Sequence, residues 1–175
     1  FIDAEKFVMY GSSAGAIGSL FYIETLNKYL TKETKKLLIA DSPGLHWDEN
    51  FWKKFTPKLI SDLKNAMEDI GLEFNSNDAL IAKDLAGYCQ RYSNWEMGFI
   101  QSTKDIIMSK VFAGMSSSKH QKMVLGDYGI KRTLKDMPNC HLNIPDTKGH
   151  AFLLSTKYSR LTKDMDTQES VKDFT

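Results

Sequence analysis

The chain has no excess of either charge, no long apolar run and very little cysteine, and each shortage narrows what it can do. Lysine and arginine together number 23 against 22 aspartate and glutamate, a net of +1 over 175 residues. Nothing in that balance points to a nucleic acid or an acidic membrane surface as partner. No stretch approaches the ~20 consecutive apolar residues that a membrane span requires. The two cysteines, Cys89 and Cys140, could pair with each other, pair elsewhere or stay free, so they leave the redox compartment open. Internal repeats, low-complexity segments and linkers are absent from the sequence, and no metal or cofactor is expected. What remains is a chain with 42% hydrophobic and 26% charged residues, the proportions of an ordinary globular domain with a core of its own.

The stretch around which the rest is organised runs from Lys6 to Ser19. Phe7–Tyr10 is a short apolar and aromatic run of the kind a buried parallel strand needs. From Ala14 to Leu30, the residues Ala16, Ile17, Leu20, Phe21, Leu26 and Leu30 recur at roughly helical intervals. Between strand and helix the chain spells G-x-S-x-G, with Gly11, Ser13 and Gly15 in the defining places. A serine on so sharp a turn is held in a strained backbone conformation with its hydroxyl pushed out above the sheet. The helix that starts there aims free N–H groups, that of Ala14 first, at any negative charge developing beside Ser13. Gly15, Ala16, Gly18 and Ser19 are expected to keep the helix face thin against the sheet.

Read in order, the chain alternates strand and helix. Residues 1–44 make a βαβ unit whose second strand, Lys35–Ala40, ends in Asp41-Ser-Pro-Gly44. Residues 45–93 change character: a helix opens at Thr56-Pro57 and closes at Gly71, and a second is expected over Asp78–Tyr92. This insertion would stand as a helical cap over the carboxyl ends of the strands, where open α/β sheets bind ligands. Trp47, Phe51, Trp52 and Phe55 at its entrance are then either pocket walls or the inner face of a cap helix. Residues 94–175 carry a third strand, Met97–Ser102, a helix over Ile106–Phe112, a helix from Ser116 towards Met137, a fourth strand over Cys140–Ile144, and an amphipathic tail with two short helices.

The expected fold is therefore α/β: one domain built on a parallel sheet with helices on both faces and the cap. Because sheets of this kind usually place several strands ahead of the elbow, the chain reads as the C-terminal part of a longer protein. The missing N-terminal segment would cover the edge beside Phe7–Tyr10 and supply a second oxyanion N–H.

A serine hydroxyl is a poor nucleophile until a base takes its proton, and the base must be oriented by an acceptor on its other nitrogen. Of four histidines, His141 lies inside a strand, His120 sits in a polar helix start and reads as solvated surface, and His46 follows the second strand too closely. His150, on the loop after the last strand, is left as the base. Asp105 after the third strand and Asp41 after the second both remain open as the acid. Asp41 otherwise caps the turn at Ser42-Pro43-Gly44 or bounds the pocket floor, and Asp146 reads as a turn residue.

The blocks Tyr10-Gly-Ser-Ser-Ala-Gly15, Leu38-Ile-Ala-Asp-Ser-Pro-Gly44, Phe99-Ile-Gln-Ser-Thr-Lys-Asp105 and Gly149-His-Ala-Phe-Leu153 occur in an order that resembles the pectin acetylesterase family, the Notum-like α/β-hydrolase esterases. The likeness spans Tyr10 to about Leu154 and is greatest for the bacterial esterase-like members. With the Ala14 N–H as oxyanion donor at the helix start and Ser12, Asp41, Ser42 and Trp47 as candidate pocket residues, the resemblance implies Ser13 as nucleophile, Asp105 as acid and His150 as base. It also implies an acylated small molecule or carbohydrate as substrate and a secreted or lumenal protein. Ala16, where the family has a second glycine, and Pro43 depart from the pattern.

Three functions are open at this point. A serine carboxylic ester hydrolase is the leading expectation. A non-catalytic binding or assembly module on the same fold, and an acyltransferase that passes the acyl group to another alcohol, are the alternatives.

Overall fold

The computed structural model describes residues 4–74 and 80–154. Four strands form one sheet in the order β1 (Lys6–Ser12), β2 (Lys35–Asp41), β3 (Glu96–Ile100) and β4 (Cys140–Asn143), and every neighbouring pair is parallel. The chain is thus an α/β protein with an all-parallel sheet. Each strand stays within two residues of the bounds expected from its apolar run, and β1 continues through Gly11 and Ser12 instead of stopping at Gly11. The register lines up Ser12 with Asp41, Asp41 with Ile100, and Ile100 with Asn143, so the four strands end on one row.

The strands alternate between two apolar layers, as a pleated strand must. Leu38, Ala40, Met97 and Phe99 face the main core, which also takes Ala16, Leu20 and Ile23 of α1 (Ala14–Asn27). Ile39 and Ile100 face the other way and meet Phe152, which is fully buried. That ring lies in a 3₁₀ turn, Phe152–Leu154, directly after His150.

Helices α2 (Glu49–Trp52) and α3 (Pro57–Asp69) follow β2. Asp48 caps the first by accepting from the Asn50 and Phe51 N–H groups, and Thr56 caps the second by accepting from the Leu59 N–H, with Pro57 in its first turn. The helix expected over Asp78–Tyr92 is shorter: a 3₁₀ turn over Ile81–Asp84 leads into α4 (Leu85–Arg91), and its expected start at Asp78 lies outside the described residues. Helix α4 leans on α1. The Tyr88 hydroxyl donates to the Leu20 carbonyl (2.8 Å) and that of Tyr92 to Glu24 (2.9 Å). Trp47 and Phe51 are stacked with ring centroids 4.6 Å apart, and Trp52 and Phe55 close the cluster. Trp47 is buried in that cluster and packs with the main core.

Two expectations in the second half are corrected. The single helix drawn from Ser116 towards Met137 is two, α5 (Ser117–Leu125) and α6 (Ile130–Thr133). Gly126 and Gly129 break it by turning so tightly that a Cβ would lie 2.7 Å from the Lys122 carbonyl and 2.2 Å from that of Met123. The helix after Asp105 is a π-helical segment, Ile107–Ala113, ended by Gly114 in the left-handed conformation. Both cysteines are free thiols. The tail helices expected beyond Leu154 lie outside the described residues. Among the described residues no helix is long and apolar enough to cross a membrane.

The glycines around the first turn divide into two kinds. A Cβ on Gly11 would stand 2.2 Å from the Gly15 carbonyl oxygen and 2.8 Å from the Ala16 Cα, all immovable backbone. At Gly15 and Gly18 an added Cβ would meet nothing within 4 Å, so the thin helix face expected there is carried by Ala16 and Ser19, which are buried. Opposite outcomes follow for the same chemical change. Gly11→Ala should lower stability by about 1–3 kcal/mol through overpacking, whereas Gly18→Ala should be neutral or raise it by up to ~1 kcal/mol through helix propensity. Thermal melts of the two variants check this, and equal shifts would contradict it.

Candidate active site

Ser13 sits between β1 and α1 with φ 56° and ψ −124°. For a residue with a side chain this is a sparsely populated conformation that costs on the order of 1–3 kcal/mol and persists only where the surroundings impose it. They do so here: the Ser13 N–H donates to the Asp41 carbonyl (2.8 Å), and its own carbonyl accepts from the Ala16 N–H (3.0 Å). A serine at the start of a helix ordinarily spends its hydroxyl on capping. The Ser13 hydroxyl makes no such bond. The N–H groups of Ala14 and Gly15, in the first turn of α1, have no intrahelical acceptor and point towards the same end.

The strain is not confined to Ser13. Among the described residues, the non-glycine positions with positive φ are Ser13, Ser42, Leu45 and Ala151. Each follows a strand of the sheet at its carboxyl end: β1, β2, β2 again, and β4. Residues held in sparsely populated backbone regions cluster at active sites, ligand clamps and switch regions.

Asp105 lies just beyond β3 and is fully buried. One carboxylate oxygen accepts from the N–H groups of Ile107 and Met108, both at 3.0 Å, and so caps the π-helical segment. The other accepts from His150 Nδ1–H at 2.8 Å. The histidine loop is brought there by an extension of the sheet's pairing, in which the Thr103 N–H donates to the Pro145 carbonyl and the Lys104 N–H to that of Thr147. His150 is left with Nε2 unbonded among the described residues. Asp105 and His150 are therefore joined, whereas no hydrogen bond links the Ser13 hydroxyl to His150.

Asp41 is not paired with any histidine. Its carboxylate is buried and accepts from the Ser42 hydroxyl, from the Phe152 and Leu153 N–H groups, and from Tyr10. Tyr10 lies beside Ser12 and Asp41, and partial burial is the main cause that raises its hydroxyl pKa, with the Asp41 charge adding to it. Asp146 accepts from Thr103, Lys104 and Gln121, the part of a loop residue. His141 pairs on the surface with Glu96. A cleft of about 420 Å³, floored by Trp52, Phe55 and Ile60 and edged by Lys53 and Lys64, involves none of the rim residues.

No protein-family model, curated protein or solved structure matches the chain. What the rim does has to come from its own chemistry.

One expectation about the histidines fails. His120 is not surface but fully buried, donating from Nδ1 to the Thr103 carbonyl at 2.9 Å. Its ring meets that of His46 edge to face, with centroids 5.7 Å apart. The polar run Ser116-Ser-Ser-Lys concealed it. Its partner one turn on, Val124, is buried too, and that four-residue spacing is the signal that could have shown it. His46 donates from Nδ1 to the Gly44 carbonyl and accepts at Nε2 from the Ile130 N–H (3.2 Å), which fixes the neutral tautomer.

Burial, seconded by the neighbouring His120, pushes the His46 pKa down to about 3, and burial lowers that of His120 as well. With folded values below the unfolded 6.5, the unfolded chain binds protons that the native state refuses, so stability is full above about pH 6.5 and falls on acidification towards about pH 3. His46 alone should remove about 1.5 kcal/mol between pH 6.5 and pH 5, the slope approaching roughly 1.4 kcal/mol per unit below pH 6. Denaturant midpoints across that range should drop, and His46→Gln should flatten the drop by about one proton; an unchanged slope in the variant would refute the assignment.

Proposed function

We propose that the protein is a serine carboxylic ester hydrolase of α/β-hydrolase type, with residues 45–93 as its cap and Ser13, Asp105 and His150 as its catalytic groups. The observation that carries the reading is the buried Asp105–His150 hydrogen bond on the rim where Ser13 is held in a strained turn ahead of a helix. A carboxylate on Nδ1–H orients the imidazole and leaves Nε2 to accept a proton. In unliganded sites the bond from nucleophile to base is often long and tightens only with substrate.

In the proposed reaction His150 Nε2 takes the Ser13 proton while the Ser13 oxygen attacks the acyl carbonyl carbon. The carbonyl π-bond electrons move to oxygen, and the Ala14 N–H donates to the oxyanion so formed. Collapse of that intermediate expels the alcohol, which receives the proton from His150 and leaves an acyl ester on Ser13. Water, deprotonated by His150, repeats the sequence and releases the carboxylic acid. Asp105 keeps the imidazole in one tautomer throughout and stabilises its charged form. The acyl group proposed is acetyl, and the alcohol a small molecule or carbohydrate.

The test is steady-state hydrolysis of p-nitrophenyl acetate by the full-length protein. Ser13→Ala should lower kcat by about 10⁴-fold or more, and Asp105→Asn by a similar order, as the loss of the oriented tautomer does in serine proteases. Asn keeps one oxygen to accept from Ile107 and Met108, so the second variant should melt near the parent temperature. Equal rates for Ser13→Ala and the parent would remove the enzyme reading.

A further inference from the structure

Three successive backbone N–H groups directly follow His150, and all three end on two adjacent side chains, those of Asp41 at the end of β2 and of Ser42 just beyond it. The Ala151 N–H donates to Ser42 Oγ (3.0 Å), that of Phe152 to one Asp41 carboxylate oxygen (3.1 Å), and that of Leu153 to the other (2.8 Å). Ala151, at φ 59°, bends the chain so that its successors point their N–H groups inward. Consecutive amides arranged in this way form a concavity for an anion. Here the anion is a side chain of the protein itself.

The Asp41 carboxylate is completely buried, and burying one is expensive unless donors surround it. It has four, the other two being the Ser42 hydroxyl (2.9 Å) and the Tyr10 hydroxyl (3.3 Å). The same residue also holds the nucleophile, since its carbonyl accepts from the Ser13 N–H at 2.8 Å. One residue thus grips the serine turn with its main chain and the histidine arm with its side chain. Below the clamp the Phe152 ring is buried against Ile39 and Ile100, which stops the arm from sliding along the sheet.

We propose that Asp41 is a positioning residue: its carboxylate fixes the segment 151–153 and thereby sets His150 against Asp105, on the rim that carries Ser13. The proposal rests on the esterase reading for its catalytic consequence, though not for its structural one. Both carboxylate oxygens face donors, so no neutral isostere can replace them. In Asp41→Asn one amide nitrogen must confront an N–H group, and the arm has to shift. A displacement of about 1 Å in a catalytic group can cost on the order of 10²-fold in rate.

The experiment compares the parent protein, Asp41→Asn and Ser42→Ala by proton NMR of the imidazole N–H bonded to Asp105, assigned by its loss in His150→Gln, and by p-nitrophenyl acetate kinetics. In Asp41→Asn, with a cooperative melt retained, the low-field resonance should broaden or move upfield. Its kcat should fall by about 10- to 10²-fold with KM changed by less than about threefold, since substrate contacts stay in place. Ser42→Ala removes the acceptor for Ala151 and one of the four donors to the Asp41 carboxylate, leaves the Phe152 and Leu153 bonds in place, and should shift both readouts in the same direction by less. If Asp41→Asn does not fold, Ser42→Ala decides the matter. A folded variant with the parent resonance and the parent kcat would overturn the proposal. A parent protein without the resonance would overturn it as well. A parent that shows the resonance but hydrolyses no ester would sink the esterase reading, and the resonance shift alone would then decide the clamp.

Discussion

In-register parallel pairing is the constraint from which the rest of the site follows. Ser12, Asp41, Ile100 and Asn143 stand on one row across the sheet, so every loop that leaves a strand starts from the same level. A parallel sheet puts the chemistry of separate strands together in this way because all strands point in one direction and all connections return behind them. Ser13, Asp105 and His150 are far apart along the chain, yet each lies just beyond the end of a strand. The strain at Ser13 is affordable only because that row is rigid: the Asp41 carbonyl holds the serine amide, and the close seat of Gly11 under Gly15 and Ala16 leaves the turn no room to relax.

Behind the row sits a layer of polar groups that water does not reach. Asp41, Ser42, His46, Gln101, Asp105 and His120 are all buried, and each has at least one hydrogen-bond partner, although Nε2 of His120 is left without one among the described residues. Gln101 accepts from the Gly44 amide and holds the loop after β2, while His46 reaches from that loop to the start of α6. Buried polar groups with satisfied partners rigidify a site, because moving any one of them strands a donor or an acceptor in a medium that cannot replace it. That rigidity holds the rim in one geometry, and its consequence is a fold whose stability depends on His46 and His120 staying neutral.

The parts of this arrangement that sequence made legible are the local ones. Short apolar runs disclosed the strands, most plainly β2 and β3, which are covered on both sides and so are apolar through their centres, whereas Val8 and Tyr10 of β1 and His141 of β4 are exposed. The G-x-S-x-G turn disclosed the strained serine because steric demand at Gly11 is met within five residues. The histidine loop was legible by its place after the last strand, and Asp105 by its place after the third, but position alone left Asp41 as an equal rival for the bond to His150. What stayed hidden is non-local. The bonds from Asp41 to Phe152 and Leu153 span more than a hundred residues, and nothing in Asp41-Ser-Pro-Gly44 announces them. His120 was hidden by polar neighbours, since a helix can bury one stripe while its flanks stay wet. The break between α5 and α6 was visible in Gly126 and Gly129 had two glycines three apart been weighed against the helical period.

The claim that the hydroxyl, imidazole and carboxyl act as one unit is tested most directly by a crystal structure of the protein after treatment with an alkyl fluorophosphonate. The account predicts a phosphonyl group bonded to Ser13 Oγ, with a phosphonyl oxygen accepting from the Ala14 N–H, His150 Nε2 turned towards the adduct, and the His150–Asp105 hydrogen bond intact. An unmodified Ser13, or an adduct there with His150 directed away from it, would contradict the account.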